Sequence, residues 1–173
     1  MRNRERWPML VLVPLMVTAA LAAYQPDPQL PPGPLAFVID LDTTGGFTGR
    51  GRGGVTVDSG GTVRASRVGG SSRQASECRA QLPADQLESL RRAVAAARLR
   101  PWPETFAPDG DSGCCDRYRW TLRLVQRQAD DQVRTSVTMW YDANDGRLPV
   151  DVTAIRDIAM RALARALADC ARR

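Results

Sequence analysis

Tyr118-Arg119-Trp120-Thr121-Leu122-Arg123-Leu124 is the stretch that decides the fold. Tyr118, Trp120, Leu122 and Leu124 alternate with Arg119, Thr121 and Arg123, and Arg117 extends the polar set backwards. In an extended chain successive side chains point to opposite faces, so this pattern buries one face and leaves the other in water. A strand of that kind belongs to an antiparallel sheet covered on one side. Downstream, Ala129-Asp130-Asp131-Gln132 turns the chain, and Val133, Thr135, Val137, Met139 and Tyr141 continue as the hairpin partner.

Upstream the same period recurs. Leu35, Phe37, Ile39 and Leu41 share one face of a strand whose other face carries Asp40 and Asp42. Val55-Thr56-Val57 follows as a second strand, Ser59-Gly60-Gly61 as a tight turn and Thr62 to Val68 as a third strand, which together make a meander. Gly69 to Ser72 reads as a loop, and Ala75 to Leu82 returns as a short edge strand. The period then changes. Leu87, Leu90, Val94 and Ala97 predict a helix over Pro83–Arg98, stopped by Pro101 and Pro103. Val152, Ile155, Ile158, Ala159, Ala162, Leu163, Ala166 and Leu167 predict a final amphipathic helix. Strands, helix, hairpin and helix in that order predict an α+β domain: an antiparallel sheet, made of a three-strand meander plus a hairpin, with two helices packed on one face.

The domain occupies residues 35–173 of the 173-residue chain. Residues 1–23 read as a signal peptide. Arg2, Arg4 and Arg6 precede the uncharged run Met9–Ala23, which is short for a membrane span, and Ala20-Leu21-Ala22 supplies the small residues that a signal peptidase reads. Residues 24–34 hold Pro26, Pro28, Pro31, Pro32 and Pro34 and read as an extended spacer. The expected location is therefore the periplasm or the medium, with no stable membrane insertion after cleavage.

All 24 basic residues are Arg, and the chain has no His. Without imidazole there is no Ser-His-Asp triad, no Cys-His pair and no His metal site. Without Lys there is no Schiff base and no phosphate-loop lysine. Removal of Arg2, Arg4, Arg6 and Glu5 with the signal lowers the net charge from +5 to +3. So small and scattered an excess argues against a nucleic-acid surface. Composition thus points to a binding protein that takes no cofactor and is not an enzyme.

Cys78, Cys114, Cys115 and Cys170 sit in a chain expected to reach an oxidising compartment, where disulfides persist. Adjacent cysteines rarely bridge each other because the geometry is strained. Two pairings are then open: Cys78 with Cys114 and Cys115 with Cys170, or Cys78 with Cys115 and Cys114 with Cys170. No C-x-x-C spacing supports a thiolate metal site or a redox pair.

Several short motifs are weak. Gly49-Arg50-Gly51-Arg52-Gly53-Gly54 contains G-x-G-x-x-G but opens a strand, where a dinucleotide loop opens a helix. Asp109-Gly110-Asp111-Ser112-Gly113 and Asp142-Ala143-Asn144-Asp145-Gly146 begin like calcium loops, yet Trp120 and Thr153 stand where each needs Glu. Asp40, Asp42, Asp116 and Asp142 lie near strand ends, where carboxylate pairs can meet, although exposed strands carry such charges ordinarily. Arg117, Arg119 and Arg123 read as a solvated sheet face whose stems cover apolar surface.

The most unusual segment is Thr43-Thr44-Gly45-Gly46-Phe47-Thr48-Gly49-Arg50, an aromatic flanked by glycines between two strands. Glycine permits positive φ and close approach of another main chain. Gly45, Gly46, Phe47, Thr48, Gly49 and Arg50 are the candidate partner-binding residues, with Phe47 as the anchor. A strand running into Gly45-Gly46-Phe47-Thr48-Gly49 and then Arg50 resembles the emfourin-like family. Leu82, Leu87 and Leu90 on a helix, Asp116 to Leu124 as D-x-x-x-Y/W-x-L-x-L, and a helix led by Pro149 follow in the order of that family. The resemblance covers roughly residues 35–167, while the signal, the proline-rich lead and the four cysteines look like an exported, disulfide-bonded branch. It implies the α+β fold and inhibition of a thermolysin-like metalloprotease such as protealysin, by occlusion of the active-site cleft with the Gly45–Arg50 loop. An envelope interaction protein without inhibitory activity is the alternative expectation.

Overall fold

The computed structural model of the chain describes residues 30–31, 35–46, 53–67, 76–97, 102, 105–106, 117–141 and 148–172. The elements are β1 (Phe37–Gly45), β2 (Gly53–Asp58), β3 (Thr62–Arg67), β4 (Ser76–Gln81), α1 (Ala84–Ala97), β5 (Thr105–Phe106), β6 (Tyr118–Arg127), β7 (Val133–Tyr141) and α2 (Val150–Ala171). They form an α+β domain with one sheet in the order β4-β3-β2-β1-β6-β7-β5. Six strands are antiparallel to their neighbours, and the two-residue β5 runs parallel beside Met139 and Trp140 of β7.

The period of two expected around Tyr118 is present, and register carries it across the sheet. Leu124 lies opposite Ile39, and Ile39 opposite Val57; Leu122 lies opposite Leu41, and Leu41 opposite Val55. These residues, with Phe37, Val63, Ala65 and Cys78, form one buried layer facing the helices. Complete burial of a Leu, Ile or Val side chain stabilises by roughly 1.5–3 kcal/mol. Leu35, expected in the first strand, precedes it and is exposed.

The β2–β3 turn is held by Asp58, whose Oδ1 accepts from the backbone N–H groups of Gly60 and Thr62 at 2.9 Å each. Short polar side chains fold onto their own backbone in this way and favour tight turns. β4 is the short edge strand that the sequence predicts after the loop 69–72.

α1 occupies Ala84–Ala97 of the predicted 83–98 span. α2 starts directly after Pro149, whose missing N–H costs nothing at a helix start. Val152, Ile155, Ala159, Ala162 and Ala166 recur every three or four residues on its buried stripe. The stripe narrows to alanine towards the C-terminus, so the helix approaches the strands closely there. α2 lies across β1 to β4, and α1 packs beside α2 on the same face of the sheet. Trp102 donates from Nε1 to Oδ2 of the buried Asp151 at 3.3 Å, which ties the segment after α1 to the first turn of α2. A carboxylate in that turn also meets the positive end of the helix dipole.

The disulfide joins Cys78 to Cys170, with 5.8 Å between Cα atoms and a sequence separation of 92. This corrects both expected pairings. The last turns of α2 run back over β3 and β4, which puts Cys170 against Cys78 within ordinary bridging distance. Cys114 and Cys115 lie outside the described residues, as do the signal 1–23, Phe47–Arg50, Asp109–Gly113 and Asp142–Gly146. Among the described residues no helix is long and apolar enough to cross a membrane.

Candidate functional site

The connection between β1 and β2 leaves the sheet from a fixed stem. β1 outruns β2: Thr43 is the last β1 residue opposite β2, at Gly53, while Thr44 and Gly45 pair with Arg119 and Tyr118 of β6. The buried Thr43 hydroxyl donates to the Gly53 carbonyl at 2.9 Å and closes the two strands together. Arg119 donates from Nε to the Thr44 hydroxyl at 3.3 Å. Beneath Thr43, Trp120 stacks on Trp140 with ring centroids 6.3 Å apart. The stem therefore rests on the aromatic end of the core.

Gly45 and Gly46 adopt φ of +90° and +74°. A Cβ on Gly45 would come within 2.6 Å of the Arg117 carbonyl oxygen, and one on Gly46 within 2.7 Å of the Tyr118 ring. The Gly46 N–H donates to the same Arg117 carbonyl at 3.2 Å. Both conformation and space demand glycine here. Of the six candidate contact residues, the structure describes these two and places them at the base of the loop. Gly46 is buried against Tyr118, and Phe47, Thr48, Gly49 and Arg50 lie outside the described residues. Thr43, Arg117 and Tyr118 were not among the candidates. Their part depends on β1 pairing with β6, which no local motif announces.

The second feature lies on the sheet face away from the helices. Asp40 and Asp42 stand two residues apart on β1 and point to that face. They border a shallow depression of about 300 Å³. Gly54, Thr56, Arg64, Ser66 and Glu77 are among its other lining residues. Gly54 keeps the floor open, since a Cβ there would meet Asp42 Oδ1 at 2.9 Å. Asp40 Oδ1 accepts from the Thr56 hydroxyl at 2.8 Å. Burial, the largest cause, holds the Asp42 carboxyl above the ordinary aspartate value; the backbone N–H of Thr43 opposes it, and the Asp40 charge adds to the rise. Asp116 and Asp142, the other carboxylates named from the sequence, lie outside the described residues.

Arg119 and Arg123 share this face, with Arg123 directly opposite Asp40. The row Arg123, Asp40, Thr56, Arg64, Arg79 carries a charge at four of its five positions, with Arg123 opposite Asp40 and Arg64 opposite Arg79. Among the described residues no cluster of His, Cys, Asp or Glu is arranged to hold a metal. No known protein family matches the chain, and no curated protein is similar to it.

Proposed function

We propose that the protein is an exported binding domain that inhibits a thermolysin-like metalloprotease by placing the β1–β2 loop in its active-site cleft. The fixed stem is the observation that carries this reading. Two glycines in left-handed conformations, a buried Thr43–Gly53 clamp and the Gly46–Arg117 hydrogen bond hold both ends of the loop in place before any partner arrives. Such preorganisation lowers the ordering cost of association. The resemblance to the emfourin-like family names the partner class, and the Cys78–Cys170 bridge agrees with an oxidising destination.

The test mixes the purified protein with several thermolysin-like peptidases and measures residual activity. Inhibition is expected for at least one of them. Phe47→Ala is expected to weaken it about tenfold or more, which corresponds to about 1.4 kcal/mol. Inhibition that Phe47→Ala leaves intact would remove the loop from the contact. No inhibition of any peptidase would leave the envelope interaction protein as the better reading.

A further inference from the structure

We draw no further inference here: the strongest candidate, the depression on the open sheet face where Asp40, Asp42 and Glu77 gather, is a cluster of acidic side chains beside which nothing among the described residues points to a ligand.

Discussion

The two long edges of the sheet end in opposite chemistry. β4 turns Glu77, Arg79 and Gln81 to the open face, and Arg79 donates from Nε to Glu77 Oε1 at 2.8 Å. β7 turns Val133, Thr135 and Val137 to the same face with no charge among them. Edge strands invite pairing, and charged side chains are a common way to prevent it. β4 is protected in that way and is tied to α2 by the disulfide as well. Among the described residues, β5 covers β7 at Met139 and Trp140. The difference divides the open face into a charged half over β1 to β4 and an apolar margin at β7.

The largest expected effect separates the two faces of β7. Trp140 is fully buried and stacked on Trp120, so Trp140→Ala is expected to cost about 3–5 kcal/mol. Val137→Ala, three residues away on the exposed face, is expected to change stability by no more than about 0.5 kcal/mol. Urea unfolding of both variants, compared at equal protein concentration, reads the contrast. Similar losses in the two would mean that the outer face of β7 is covered in the folded protein.

At the other edge, Cys78→Ala removes the link between β4 and the end of α2 across 92 residues of chain. The expected cost is about 2–4 kcal/mol. For a domain of this size that corresponds to a fall in melting temperature of roughly 5–15 °C. Peptide mapping of the oxidised protein is expected to yield Cys78 joined to Cys170. Recovery of Cys78 joined to Cys114 or Cys115 would restore one of the pairings read from the sequence and detach α2 from β4.

These contrasts follow the limits of what sequence patterns carry. β6 was legible because Trp120, Leu122 and Leu124 form an unbroken apolar set and lie on the covered face. In β7 the same period is present, yet the most regular apolar set, Val133 to Tyr141, faces outward. The hairpin register, which places Trp140 against Trp120, decides the facing, and one-strand periodicity does not contain it. The disulfide depended on the path of α2 over β3 and β4, a tertiary quantity absent from cysteine spacing. At the candidate site, Gly45 and Gly46 stood out by composition. Their neighbours did not, because the contact between Thr44 and Arg119 spans 75 residues of sequence. The segment that distinguishes the inhibitor reading, Phe47–Arg50, rests on the sequence and on the stem that holds it.

The smallest expected effect tests the charged half. Asp42 shares a row with Gly54, Ser66 and Glu77, and its carboxyl is held above the ordinary value of 3.8, chiefly by burial. A carboxyl with a raised folded-state pKa takes up its proton in the native protein before it does in the unfolded chain. Between 3.8 and that raised value the native state therefore binds more protons, and stability falls as pH rises through the window. Below 3.8 both states are protonated and the penalty is gone. Asp42→Asn removes the ionisation, so it is expected to raise the melting temperature at neutral pH, and its advantage is expected to shrink as pH falls towards 3.8. Because the group is partly exposed, solvent screening keeps the gain small. Melting curves of the variant and wild type across this range give the difference directly. A difference that does not depend on pH would mean that Asp42 titrates alike in the folded and unfolded chain, and a variant less stable than wild type at neutral pH, whose deficit vanishes on acidification, would mean that Asp42 is stabilised as a carboxylate.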